Sequence, residues 1–276
     1  MSVRILSGKP VAQAIISKLM QQTERTSFRP FLKIIRTTNR ADSDSYIRQK
    51  VKLMEKLGFG CVVESAESEK LIRAAVEKAN EDKGVTGILV QLPLASPSMN
   101  PRPILDAIDP LKDIDGLSVI NAGRLFSGNP LIFPCTPQAV ISILDHYEIG
   151  LEGKKVAVIG RSLVVGLPLF QLLNQRNATV TLLHSHSNLD SLHNFEIVVS
   201  AVGRSELIKD SMLSPGAILI DVGISRREDG KLVGDVEKGI SRAGAVTPVP
   251  GGVGPVTVAM LARNLWQCHE LQNIKY

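Results

Sequence analysis

Tyr46 and Lys50 stand four residues apart in "SYIRQKVK", a spacing that puts both on one face of a helix. On a surface helix such a pair is ordinary, with the lysine stem lying along the ring. The same pair can also move protons, if burial lowers the Lys50 pKa and Tyr46 orients the amine or a substrate. Gln91 closes the apolar run "GILVQLPL" just before Leu92 and Pro93. An amide at the carboxyl end of a buried strand is either a turn device or a reader of substrate. Asp113 and Asp115 in "KDIDG" allow a similar choice. Acids beside a glycine usually make turn hydrogen bonds, but a carboxylate can also accept two parallel N–H bonds from a ring edge.

A second set of residues points to a nucleotide. "VIGRSLVVGLPL" begins as a strand ending at Gly160, with Gly166 and Pro168 opening a helix. A helix N-terminus after a parallel strand suits a pyrophosphate. The dinucleotide pattern is broken, because Ser162 occupies the place of a middle glycine. At the end of the next strand, "HSHS" supplies none of the acid that would bind an NAD ribose. Arg161 and Ser185 are instead suited to a 2′-phosphate, so the site favours NADP. His184 and His186 read as exposed loop histidines. "TPVPGGVGPVT" (247–257) alternates Pro with Gly, a loop able to bring backbone against a flat ring such as a nicotinamide or a pterin.

These residues need a scaffold of parallel strands, and the chain supplies the pattern for one. "FLKIIR" (31–36), "CVVES" (61–65) and "VTGILVQLPL" (85–94) read as strands separated by amphipathic helices over 45–58 and 67–82. Residues 95–136 turn irregular, rich in Pro, Asp, Asn and Gly. A helix follows, with Thr136 as its N-cap and Pro137 at its first position. A second series places strands at 155–160, 178–183, 196–203 and 216–223, as in a doubly wound nucleotide domain. The final helix, "VTVAMLARNLWQCHELQ", is expected to pack back across the first domain. The expected fold is therefore α/β, with a three-layer catalytic domain at 1–138 completed by 257–276, and a Rossmann domain at 139–256.

Bulk composition narrows the function classes. The 276 residues are 44% hydrophobic and 21% charged, as in an ordinary globular protein. The formal charge of +5 is dispersed, and 4% aromatics is too few for base-stacking platforms, so nucleic-acid binding is not expected. No apolar run approaches the roughly 18 residues of a membrane span. The N-terminus lacks the pattern of a signal peptide. Three dispersed cysteines argue against a disulfide framework or a zinc site and suit a reducing cytoplasm.

Taken in order, "SYIRQKVK", "GILVQLPL", "KDIDG", "PCTP", "VIGRSLVVGLP", "TVTLLHSHS", "DVGI", "GDV" and "TPVPGGVGPVT" resemble the bifunctional methylenetetrahydrofolate dehydrogenase/cyclohydrolase family of the FolD type. The resemblance covers nearly the whole chain. It implies a two-domain subunit with folate and nicotinamide facing each other in a cleft, a homodimer, NADP as cofactor, no metal, and a place in one-carbon metabolism and purine biosynthesis. It also implies two reactions, oxidation of 5,10-methylenetetrahydrofolate and hydrolysis of the methenyl product to 10-formyltetrahydrofolate. In that pattern Lys50 serves hydrolysis, Tyr46 packs on folate, Gln91 supports the lysine, and Asp115 holds the pterin. Leu92, Pro93, Pro250, Gly251, Gly252 and Pro255 join Tyr46, Gln91 and Asp115 on the substrate side. The cofactor side takes Gly160, Arg161, Ser162, Val165, Gly166, Pro168, His184, Ser185, Ala201, Val202, Gly203, Asp221, Gly223 and Ile224.

The chain departs from the family pattern in "RTTNRADSDSY" (36–46), which lacks its Gly and Pro. It also departs in "LSV" after "KDIDG", at Ser205 and at Ala95. None of these removes a matched catalytic residue. Two alternatives stay open at this point: a dehydrogenase with weak or absent cyclohydrolase activity, and a folate-binding protein without turnover.

Overall fold

The computed structural model describes residues 2–227 and 230–273. The chain runs β1 (Arg4–Ile5), α1 (Gly8–Thr23), β2 (Phe31–Arg36), α2 (Ala41–Leu57), β3 (Gly60–Ser65), α3 (Glu69–Glu81) and β4 (Gly87–Gln91). It continues through α4 (Arg102–Leu105), α5 (Val119–Phe126), α6 (Cys135–His146), β5 (Lys155–Ile159), α7 (Gly166–Gln175), β6 (Thr179–Leu183) and β7 (Ile197–Ser200). The last elements are β8 (Ile218–Asp221), β9 (Ser225–Arg226), β10 (Leu232–Val233), β11 (Ala245–Val246) and α8 (Val253–Gln272).

Two compact units divide the chain. One comprises Ala14–Cys135 with the chain from Val258 onward. Its parallel sheet has the order β3-β2-β4, with β4 buried throughout, which is why its sequence is a continuous apolar run. The register sets Arg36 beside Gln91 at the carboxyl end of the sheet. In α3, Ile72, Ala75, Val76 and Ala79 make the buried stripe at helical spacing, and the Ser68 hydroxyl caps the helix by accepting from the Leu71 N–H. α2 stops at Gly58, whose φ of 68° ends the helix in the left-handed region.

The other unit comprises the N-terminal segment through Gln13 with Thr136–Thr257. Its six strands are all parallel, in the order β1-β11-β8-β7-β5-β6. The chain leaves β5 for β6 on one side and then crosses to β7 on the other. That reversal creates a crevice at the carboxyl ends of β5 and β7, where sheets of this kind bind ligands. Its core includes Ala157, Ile159, Leu183, Val198, Leu213 and Leu219.

Four expectations from the sequence need correction. The first residues join the nucleotide-type sheet, because Arg4 N–H bonds Gly244 O (3.0 Å) and Leu6 N–H bonds Val246 O (2.8 Å). α6 begins at Cys135, so Thr136 is inside the helix rather than its cap. The stretch 95–136 is not irregular throughout, since α4 and α5 lie within it. Finally, α8 begins at Val253, which places Pro255 in its first turn.

Candidate active site and nucleotide loops

The lysine site is built wholly within one unit. Lys50 projects from α2, and its Nζ donates to Gln91 Oε1 at 2.8 Å. The other end of the same amide is fixed, because Gln91 Nε2 donates to the Leu92 carbonyl at 2.7 Å. The amide oxygen is thus aimed at the amine by a hydrogen bond to Gln91's own chain. The Thr37 hydroxyl steadies the strand end, within reach of the carbonyls of Gln91 (2.8 Å) and Pro93 (3.0 Å). Tyr46 sits one turn before Lys50 on α2, half-buried. Pro93 is exposed and Leu92 half-buried.

Burial sets the protonation chemistry. It holds the Lys50 amine below the ordinary lysine value, against the pull of the Asp115 charge. Burial also raises Asp115, opposed by the Lys50 charge and by a hydrogen bond from Cys135. The Cys135 thiol, pushed up by the same burial, lies 3.4 Å from the Ile114 carbonyl. An amine with a depressed pKa is a usable proton acceptor near neutrality, which an exposed lysine is not.

"KDIDG" divides its labour. Lys112 Nζ donates to the carbonyls of Ala79 (3.0 Å), Asn80 (2.8 Å) and Asp82 (2.8 Å), closing the C-terminal end of α3. Asp113 is buried and accepts from Leu117 N–H (3.2 Å), Ser118 N–H (2.8 Å) and Asn121 Nδ2 (3.0 Å). Both residues are therefore structural, and of the three polar side chains it is the Asp115 charge that acts on the lysine. Asn264 of α8, fully buried, donates to the carbonyls of Ile114 (2.9 Å) and Phe133 (2.8 Å) and lies 3.3 Å from Cys135 Sγ. It pins the chain on the near side of Asp115 to the segment entering α6. Nothing in the local sequence of α8 marks Asn264 for this task.

The nucleotide-type loops lie in the other unit. Gly160 has φ 110° and a Cβ there would stand 2.7 Å from the Ala201 carbonyl oxygen, so glycine is required. A Cβ on Gly166 would overlap the Gly160 carbonyl. The two glycines let the loop fold tightly over the N-terminus of α7, with Pro168 buried in its first turn. Ser162 Oγ accepts from Val165 N–H at 3.1 Å, which shapes the loop itself. Arg161 and Ser185 are exposed, and His184 is half-buried with its N–H on Ser187 Oγ (3.0 Å). His186 is exposed, as expected for a loop histidine, whereas His184 departs from that expectation.

After β7, Val202 and Gly203 are exposed and Ala201 half-buried, while Ile224 is exposed after β8. Asp221 and Gly223 are buried beneath them. The Asp221 carboxylate is pushed up to about 6 by burial and accepts from the N–H groups of Asp235 (3.0 Å) and Val236 (2.9 Å). It is a backbone organiser. In the Pro-Gly loop, Pro250 is exposed, Gly251 half-buried with its carbonyl bonded by Gly8 N–H (2.9 Å), and Gly252 buried. Among the described residues, no group of three or more His, Cys, Asp or Glu side chains is placed to hold a metal ion.

Residues 6–115 match the family model "Tetrahydrofolate dehydrogenase/cyclohydrolase, catalytic domain", and residues 134–273 match the NAD(P)-binding domain of the same family. The chain belongs to the tetrahydrofolate dehydrogenase/cyclohydrolase family. It is 43% identical over 270 residues to a bifunctional protein FolD of Thermus thermophilus, covering 96% of this chain and 95% of that one. It is 40% identical over 275 residues to the bifunctional protein FolD of Methanoculleus marisnigri, covering 97% of each. Among solved structures, the Trypanosoma brucei methylenetetrahydrofolate dehydrogenase-cyclohydrolase, complexed with NADP and an inhibitor, superposes with a TM-score of 0.93 at 35% identity, covering 100% of both chains. The family's two domains agree with the α/β architecture and the Rossmann-like sheet described above.

Proposed function

We propose that this chain oxidises 5,10-methylenetetrahydrofolate to the methenyl form with NADP+ and hydrolyses that product to 10-formyltetrahydrofolate. The observation that carries the reading is the buried Lys50 amine, bonded to an oriented Gln91 amide and acted on by the Asp115 charge. NADP+, when bound, accepts the hydride that leaves the methylene carbon. The residues present fit it: glycines 160 and 166 clear the N-terminus of α7, Arg161 and Ser185 are exposed, and no acid closes β6.

Hydrolysis is where this chain's own groups act. The methenyl carbon is cationic, so a neutral amine beside it is tolerated better than an ammonium. Lys50 takes a proton from the water whose oxygen bonds to that carbon. As the bond between that carbon and N5 breaks, the lysine returns a proton to N5, the hydroxyl proton is released to solvent as the C=O forms, and the formyl group stays on N10. Gln91 holds the amine in place through both steps. Asp115 accepts the ring-edge N–H groups of the pterin, and Tyr46 packs along it. Oxidation needs mainly alignment of the two rings.

The unit containing Lys50 is the folate domain in this reading, and the six-stranded unit is the NADP domain. We place the protein in the cytoplasm as a homodimer in one-carbon metabolism. Its three free cysteines support the first assignment and the family resemblance the second. Among the described residues, no helix is long and apolar enough to cross a membrane. The test is a pair of assays on purified protein. We expect NADPH formation with methylenetetrahydrofolate, faster with NADP+ than with NAD+, and loss of methenyl absorbance in a separate hydrolysis assay. A protein inert in both assays overturns the reading, and preference for NAD+ overturns the assignment of Arg161 and Ser185.

A further inference from the structure

The loop after β7 is held from beneath by one carboxylate. Asp235, fully buried, accepts from four donors: Ser200 Oγ (2.7 Å) and the N–H groups of Val202 (2.9 Å), Gly203 (3.3 Å) and Arg204 (2.7 Å). The loop is also tied above by Ser225 Oγ, which donates to the Gly203 carbonyl at 2.7 Å. Ala201 N–H bonds the Ile159 carbonyl at 2.9 Å, and the Ala201 carbonyl is the atom that forbids a side chain at Gly160. The Ala201–Arg204 loop therefore borders the crevice between β5 and β7.

The segment bearing Asp235 is itself fixed by a reciprocal arrangement. Asp221 holds the N–H groups of Asp235 and Val236, and a Cβ on Gly234 would overlap the Asp221 carboxylate. Likewise a Cβ on Gly223 would overlap the Asp235 carboxylate. Each carboxylate stands over the other segment's glycine, so neither can shift without the other. Three backbone N–H groups on one anion are charge-assisted bonds, strong enough to fix a loop that exposes Val202 and Gly203. Those amides are committed to Asp235, so what the loop offers a ligand is its outer surface.

We infer that Asp235 is a positioning residue for the dinucleotide, acting through the Ala201–Arg204 loop and touching no substrate or cofactor itself. The inference rests on the reading of that loop as part of the NADP site. Asp235→Asn keeps the shape but turns an N–H2 toward backbone donors. The variant is expected to raise KM for NADP+ by about tenfold, with kcat at saturating NADP+ and nucleotide-free methenyl hydrolysis each within about twofold. Ser200→Ala removes one donor and leaves the carboxylate, and it is expected to raise the same KM by about threefold. Should Asp235→Asn fail to fold, Ser200→Ala decides. An NADP+ KM within about twofold of the parent in the folded variants overturns the inference, as does equal loss of both activities. Val202→Glu separates the two levels. If it weakens NADP+ while Asp235→Asn does not, the positioning role alone is wrong. If neither variant affects NADP+, the loop assignment falls with it.

Discussion

At the level of single residues, the charge state of Lys50 governs hydrolysis in the proposed reading. Burial lowers its pKa, and a neutral amine is the form that accepts a proton from water. Hydrolysis is therefore expected to rise with pH as Lys50 deprotonates, with the midpoint of that limb below the ordinary lysine value. Measurement of kcat for methenyl hydrolysis against pH checks this. Asp115 pulls the Lys50 pKa upward, so Asp115→Asn is expected to move the amine's own titration further down, as read by NMR of labelled lysine. Gln91→Glu acts in the opposite direction, placing a negative charge where Oε1 now sits 2.8 Å from Nζ. We expect it to raise the lysine pKa and slow hydrolysis at neutral pH by roughly ten- to a hundredfold, a shift of one to two pH units. Unchanged hydrolysis in that variant would contradict the assigned role of the amine. Lys50, Gln91 and Asp115 were each legible as residues able to do chemistry, because type and motif spacing are properties of sequence. Their mutual bonds were not, since 41 residues separate the amine from the amide it meets.

At the scale of elements, the scaffold depends on polar side chains that close strand and helix ends. Lys112 satisfies three carbonyls at the end of α3, and Asn264 satisfies two on the segments flanking Asp115 and Cys135. Asn264→Ala leaves those carbonyls buried without a donor and is expected to cost about 2–4 kcal/mol, measurable by denaturant unfolding. It should also depress hydrolysis, because Ile114 immediately precedes Asp115. A stability within about 0.5 kcal/mol of the parent would show that the carbonyls find other donors. The long strands and amphipathic helices were readable from hydrophobic period. By contrast, α5 was hidden in a Pro- and Asp-rich stretch. It is only eight residues long, started by the Ser118 hydroxyl, and leaves the apolar Val119 and Ile120 exposed, so its short amphipathic pattern was overshadowed by the surrounding Pro and Asp residues. β1 is two residues long and carries no period at all.

At the scale of the whole chain, the lysine site and the nucleotide loops fall into separate units, while the substrate-side Pro250, Gly251, Gly252 and Pro255 share the unit of the nucleotide loops. Lys50, Gln91 and Asp115 belong to one, and the loops after β5, β6, β7 and β8 to the other. That separation was visible as two β-α series in the sequence, but the membership of the first thirteen residues was not. Their place is set by pairing with β11, some 240 residues away, which no local pattern encodes. One consequence concerns cofactor choice. Arg161→Ala is expected to weaken NADP+ more than NAD+, by about 1–3 kcal/mol, while hydrolysis is retained. Equal loss with both nucleotides would remove Arg161 from 2′-phosphate recognition.

In the proposed reading Lys50 serves hydrolysis and is dispensable for hydride transfer. The most direct test of that division is Lys50→Met, with both activities measured on one preparation. We expect methenyl hydrolysis to be abolished while NADP+-dependent oxidation of methylenetetrahydrofolate continues. Hydrolysis that persists near the parent rate, or loss of both activities in a folded protein, would contradict it.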